Sequence, residues 1–294
     1  MSRVLVVGVA VADYVFYLDA FPTEAAKYRA TDAMVVGGGC AANAAVAIAR
    51  LGGNPLLAAR LGQDAVGDGI LSDLSDEGVD ISLCDRSGTR SSYSSVLVDQ
   101  TGERQIVNFR GSGLIEDASF FKSAPACGAV LADTRWSEGA LAAMELAGRR
   151  DVPGVLDIEA PADPDSFKPA SHLAFSMQGL ASFYPKQSAE DAVKQAQRDF
   201  GGWVCVTLGP QGVLYCSDTD YGTVAGFQVE TVDTLAAGDI WHGAFALALA
   251  EGQAEPQAIY FANAVAALKC MRKGGRAGSP TRAETEIFMD GRTS

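Results

Sequence analysis

An α/β fold, with a doubly wound and mainly parallel sheet and a small second sheet as a lid, is what this sequence predicts. Three observations carry that reading. Apolar runs of strand length alternate with helix-period segments along all 294 residues. Several of those runs are continuously apolar rather than alternating, so both of their faces must be covered by helices. In two places the rhythm breaks and half-exposed strands follow one another with no helix between them.

The first strand is Val4–Gly8. Arg3 and the apolar run to Ala12, ending Ala-Val-Ala, imitate a short secretion signal, but the run is Val-rich and opens straight into Asp13, as a buried first strand would. Tyr14–Leu18 and Tyr28–Val36 read as half-exposed antiparallel strands. Residues 33–49 carry no charge, yet Gly37, Gly38, Gly39 and Asn43 interrupt them and Ala is weakly apolar, so they fall short of a membrane span. The segment instead leads into a helix at Ala42–Leu51. Strand Pro55–Ala59 and helix Gly67–Glu77 follow, and then a hairpin, Ser92–Val98 with Arg104–Phe109, turning at Gln100-Thr101-Gly102. Strands Ala129–Ala132, Val155–Asp157, Leu173–Phe175 and Val204–Leu208 interleave with helices Glu138–Arg149 and Ala189–Phe200. Helices Gly238–Glu251 and Pro256–Met271 close the pattern. The expected division is a body of residues 1–10, 37–90 and 111–294, with a lid of residues 11–36 and 91–110 over the strand ends, where α/β sites lie.

Charge narrows the function. The chain holds 23 Lys and Arg against 36 Asp and Glu, a formal net charge of −13. With no basic run it repels phosphate backbones and anionic lipid, so neither nucleic acid nor membrane is an expected partner. Six cysteines without C-x-x-C spacing read as reduced thiols in a cytoplasmic protein, and His172 and His242 lie too far apart to suggest a zinc site. Gly8-Val9-Ala10-Val11-Ala12-Asp13 lacks the G-x-G-x-x-G that a nicotinamide enzyme needs after its first strand.

Three segments carry chemistry. Asp233-Thr234-Leu235-Ala236-Ala237-Gly238-Asp239 sets small residues before a helix, leaving backbone N–H groups bare at its positive end, which suits phosphate. A carboxylate there repels phosphate unless its task is to take a proton from a hydroxyl attacking that phosphate; capping the helix is its other reading. Gly37-Gly38-Gly39-Cys40-Ala41-Ala42-Asn43 is a second small-residue helix entry, where a ligand can approach the backbone or where helices simply pack tightly. Val206-Thr207-Leu208-Gly209-Pro210-Gln211-Gly212 ends a strand in a Gly-bounded turn.

Together and in this order, the Gly-Gly-x-x-x-Asn, Thr-x-Gly-x-x-Gly and Asp-Thr-x-x-Ala-Gly-Asp segments resemble the ribokinase-like (PfkB) sugar kinases over essentially the whole chain. The resemblance implies a ribokinase-like three-layer fold and transfer of phosphate from ATP, with Mg2+, to a sugar hydroxyl. It makes Asp239 the base, with Ala236, Ala237 and Gly238 as N–H donors to the moving phosphate. Asp13, Gly38, Gly39 and Asn43 fall where that family binds sugar, and Thr207, Gly209, Gly212 and Asn263 where it binds nucleotide. Two departures stand out. Ala236 replaces the family's usual Gly, and Ser176-Met177-Gln178-Gly179 replaces the glutamate-bearing stretch that organises magnesium, leaving Asp157 and Glu159 as candidate metal contacts. Pro22-Thr23-Glu24 with Lys27-Tyr28, Leu131 to Trp136, and Ala266 to Gly278 resemble the sulfofructose kinases within the family. That nominates 6-deoxy-6-sulfofructose, phosphorylated on its 1-hydroxyl, with Lys27, Asn108 and Arg135 around the sulfonate. A kinase for fructose or a keto-sugar acid, and a catalytically silent sensor, remain the alternatives. Lid-to-lid pairing into a homodimer is the expected assembly.

Overall fold

Val4, Leu5, Val6 and Val7 are fully buried in β1 (Arg3–Gly8), an interior strand of a nine-stranded sheet. Each such side chain contributes about 1.5–3 kcal/mol of hydrophobic stabilisation, which accounts for the unbroken apolar run. A computed structural model of the chain describes residues 2–292. β1 pairs in parallel with β4 (Asn54–Gly62) on one side and β8 (Ala129–Asp133) on the other. Beyond β8 follow β9 (Gly154–Ile158), β10 (His172–Ser176) and β11 (Trp203–Thr207), all parallel. Beyond β4 lies the short β5 (Asp85–Gly88). The chain thus switches direction across the sheet at β1, and the crevice beyond the ends of β1 and β8 is where a ligand site forms.

Alternate side chains of the strands feed two cores. Val4 and Val6 pack with α1 (Cys40–Arg50), α2 (Ala65–Asp76), α6 (Ala237–Ala250) and α7 (Glu255–Cys270). Leu5 and Val7 pack with α3 (Ser137–Arg150), α4 (Met177–Phe183) and α5 (Ala189–Phe200). This is the three-layer, doubly wound arrangement expected from the sequence.

The smaller sheet has the order β3-β2-β6-β7, from β2 (Val11–Tyr17), β3 (Asp32–Gly38), β6 (Tyr93–Val98) and β7 (Arg104–Phe109). The register sets Asp13 beside Ser94, and Ser94 beside Asn108, so three polar side chains share one face. β3 starts four residues later than the expected strand at Tyr28. The Tyr28 phenol instead accepts hydrogen bonds from the N–H groups of Thr23 and Glu24, at 3.2 and 3.1 Å, and holds a turn. Other elements escaped the periodicity because they are short. β12 (Val213–Cys216) and β13 (Tyr221–Val224) extend the main sheet antiparallel to β11, α4 is seven residues long and capped by Ser176, and α8 (Arg282–Asp290) starts at a Thr281–Glu284 capping box. Among the described residues, no helix is long and apolar enough to cross a membrane.

Candidate active site

The residues before α6 bend so that Ala236 takes φ +63°, a left-handed conformation that a Cβ makes costly. The turn leaves the N–H groups of Ala236, Gly238 and Asp239 without an acceptor among the described residues, while that of Ala237 donates to the Thr234 carbonyl at 3.1 Å. Of the three donors expected from the sequence, Ala237 is therefore already engaged, and the Asp239 N–H is free in its stead. Bare N–H groups at the positive end of a fourteen-residue helix form an anion site.

Asp239 is partly buried, and Asn43 on α1 donates to its Oδ2 at 2.7 Å. Burial pushes its carboxyl up to about 7. The nearby Asp157 charge adds to the rise, the Asn43 hydrogen bond and His242 work against it, and Glu159 adds a little more. A carboxyl that titrates near neutrality is suited to accept a proton at physiological pH. Asp157, on β9, is 5% exposed; its Oδ2 lies 3.3 Å from His242 Nδ1, an ion-pair distance without hydrogen-bond alignment, and its Oδ1 has no partner. Ligand atoms of Asp157, Asp239 and Cys40 lie within 4.8 Å of one another. Burial, then the surrounding carboxylates, hold the Cys40 thiol well above its usual pKa, so it stays protonated. An orphaned oxygen on Asp157, whose carboxylate lies close to that of Asp239, fits a hard cation that keeps most of its waters, as magnesium does. Glu159 is occupied differently, paired with Arg135. At the departed glutamate positions, Ser176 caps α4 through Gly179 and Met177 is exposed, so that segment offers no carboxylate.

Two cavities flank the turn. Thr207, Gly209, Gly212 and Asn263 line one of about 320 Å³, together with Ala237 and Gly238. Gly212 has φ +99°, and a Cβ there would meet the Val224 carbonyl at 2.1 Å. Asn263 does not offer a free amide: it accepts from Trp241 Nε1 at 2.8 Å and donates to the Ala225 carbonyl at 3.0 Å, bracing the wall.

The second cavity, about 490 Å³, lies between lid and body, and Asp13, Gly39, Asn108 and Arg135 line it. Leu235 faces this cavity, while Thr234, Ala237 and Gly238 face the other, so the strip before α6 is their common wall. Gly38 serves Asp13, because a Cβ on it would meet the Asp13 carboxylate at 2.2 Å. Burial raises the Asp13 pKa, and Ser94 and Arg276 partly offset the rise. Lys27 is exposed on the segment between β2 and β3 and does not line the cavity, so it does not join Asn108 and Arg135 there.

The structure adds residues that sequence reasoning passed over. Arg60, Arg104 and Arg110 join Arg135 in the lid-side cavity. Arg104, on β7, pairs with Asp233 on the body at 2.9 Å. Asp133, at the end of β8, accepts from the N–H groups of Val9, Ala41 and Arg135 at 2.8, 3.1 and 2.9 Å. It ties β1, the start of α1 and the Arg135 loop to one buried carboxylate, whose pKa burial raises to about 6 against the pull of those N–H groups. Its signal in the sequence was only an Asp ending an apolar strand.

Two cavities sharing an anion site beside a near-neutral carboxyl are the geometry of group transfer between two bound partners. Residues 1–282 match the pfkB family of carbohydrate kinases. The chain belongs to that family. It is a carbohydrate kinase, a phosphotransferase with a hydroxyl acceptor. Similar proteins include ribokinase of Bacillus subtilis, 29% identical with 98% of this chain and all of that one covered, and fructokinase-1 of Zea mays, 28% identical over 84% of this chain and 86% of the other. Arabidopsis thaliana ribokinase, solved in complex with ribose and ATP, superposes with a TM-score of 0.87 over 98% of both chains at 23% identity, a likeness of fold.

Proposed function

We propose that this PfkB-family kinase transfers phosphate from ATP to a sugar carrying an anionic group remote from the reacting hydroxyl, with 6-deoxy-6-sulfofructose, phosphorylated on its 1-hydroxyl, as preferred substrate. One observation carries the reading. In a chain of net charge −13, four guanidinium groups line the lid-side cavity, and the exposed Arg110 has no acidic partner among the described residues. A sulfonate is tetrahedral, singly charged and accepts hydrogen bonds without donating, so the arginines and the Asn108 amide are its natural neighbours. The ATP in the Arabidopsis relative supports the donor.

In this reading the sugar hydroxyl approaches Asp239, which takes its proton while Asn43 holds the carboxylate through Oδ2. The free N–H groups of Ala236 and Gly238 receive the transferring phosphate from the nucleotide side. Asp157 would hold magnesium largely through water, and the ion would supply neutralisation of phosphate charge. The lid excludes water from the cavity it covers. Its outer strands, β3 and β7, expose Met34, Val35, Ile106 and Val107, which supports lid-to-lid pairing of two copies.

A second reading, ribose or fructose as substrate, is favoured by the names of the B. subtilis and maize relatives and by Asp13, which suits a neutral polyol. ADP release over a panel of ribose, fructose, keto-sugar acids and sulfofructose separates the two. Sulfofructose should be preferred, and Arg110→Ala or Arg135→Ala should cost it roughly ten- to a hundred-fold in kcat/KM, as loss of a charge-assisted contact of ~1.5–3 kcal/mol would, with little change for fructose. Equal efficiency on fructose and sulfofructose in the parent protein removes the sulfonate assignment.

A further inference from the structure

Lys269, near the end of α7, is completely buried, with 0% of its surface exposed. Burying an ammonium is costly unless oxygen ligands replace its water. Here both come from one residue. Lys269 Nζ donates to the Asp233 carbonyl at 2.7 Å and lies 3.3 Å from Asp233 Oδ2. The same carboxylate accepts from the Leu235 N–H at 2.9 Å, from the N–H groups of Gly274 and Gly275 at 3.1 and 3.3 Å, and from Arg104 of the lid at 2.9 Å. Asp233 therefore gathers in one place the lid, the segment after α7, and the strip that ends in the free N–H groups of Ala236 and Gly238. Burial lowers the Lys269 pKa and Asp233 pulls it back up. Burial also raises the Asp233 carboxyl, but the N–H groups and Lys269 outweigh it and hold that carboxyl below its usual value.

We propose that Lys269 is a positioning residue for phosphoryl transfer, a tethered monovalent cation that fixes Asp233 and thereby aims the N–H groups of the phosphate site. A carbonyl and a carboxylate oxygen converging on one point are the ligands of a small hard cation. The ammonium takes that point, so the protein needs no dissolved potassium there. Arg104 reaches the same carboxylate from the lid, which makes the alignment of the turn respond to lid closure. The inference rests on the kinase reading, since its main readout is turnover.

The experiment compares the parent protein with Lys269→Ala in buffers whose only monovalent cation is tetramethylammonium, which is too large for the cage. The parent should keep full kcat, with no more than a two-fold response to added potassium or ammonium. Lys269→Ala should lose at least ten-fold in kcat with sugar KM within about three-fold, and ammonium or potassium should restore most of it. A parent enzyme that requires potassium or ammonium overturns the proposal. So does a folded Lys269→Ala with parental kcat, or one whose loss no small cation repairs. If Lys269→Ala does not fold, Lys269→Met keeps the length without the charge and is held to the same loss in kcat, while the parental cation titration decides by itself. Melting temperature separates this idea from the kinase reading without turnover: ammonium should raise it for Lys269→Ala and leave the parent unchanged, even if no sugar in the panel is phosphorylated.

Discussion

Replacing Asp239 by Asn should raise the stability of the folded chain while removing its chemistry, and the two effects have one origin. The Asp239 carboxyl titrates at about 7 in the folded protein against 3.8 for an exposed aspartate. Its folded value is the higher one, so its contribution to stability is fully present below about pH 3.8 and is lost as the pH rises through about 7. With a folded value of about 7, the wild type should lose about 2.5 kcal/mol between about pH 5 and pH 8 that an uncharged asparagine does not lose. For a chain of 294 residues that difference is about 4 °C in melting temperature. The assay is a pair of melting curves, at pH 5 and pH 8, for wild type and Asp239→Asn. The variant should gain on the wild type as the pH rises, and its kcat should fall by roughly 10²–10⁴, the usual value of a general base, with sugar KM little changed. A variant that gains no relative stability at pH 8 would show that the carboxyl is not strained by ionisation. Near-normal turnover would reduce Asp239 to a helix cap and refute the mechanism.

Two further outcomes follow from the same geometry. Asp157 and Asp239 carry ligand atoms within 4.8 Å, and at an effective dielectric of ~40–80 a unit charge at that distance is worth about one pKa unit, so Asp157→Asn should move the acidic limb of kcat/KM down by roughly 0.5–1.5 pH units; an unmoved limb in the pH profile would remove the coupling. Ala236 holds φ +63°, and relief of a left-handed strain of roughly 1–2 kcal/mol is partly offset by the ~0.5–1 kcal/mol entropy cost of glycine, so Ala236→Gly should be as stable or slightly more stable in denaturant melts with undiminished turnover, whereas Ala236→Val should lose both.

What the sequence disclosed, and what it hid, divides along the range of the interactions involved. β1, β4, β8, β9, β10 and β11 announce themselves because a strand covered on both faces must be apolar throughout, and helix Ala189–Phe200 lies where its period puts it. Asp239 was legible because a carboxylate beside bare helix N–H groups is chemically odd, and oddness at a helix start is local. Lys27 misled because nearness in sequence to a lid strand does not fix where an unanchored segment points, and its exposed position follows from the turn that Tyr28 holds. The supporting residues were out of reach for the opposite reason. Asp133 joins partners 92 and 124 residues away, Lys269 meets Asp233 across 36, and Arg104 meets it across 129, so nothing local marks any of them. Asp133 and Lys269 share a further trait, since each is a charge taken out of water near the site. Removing a charge from water is so unfavourable that the fold must surround it with partners, and those partners are the backbone groups whose positions the chemistry needs. In this chain the carboxylates with many backbone ligands, Asp133 and Asp233, hold the N–H groups of Val9, Arg135 and Leu235, three residues that line the lid-side cavity. The carboxylates with few partners, Asp157 and Asp239, mark where the reaction would draw on uncompensated charge.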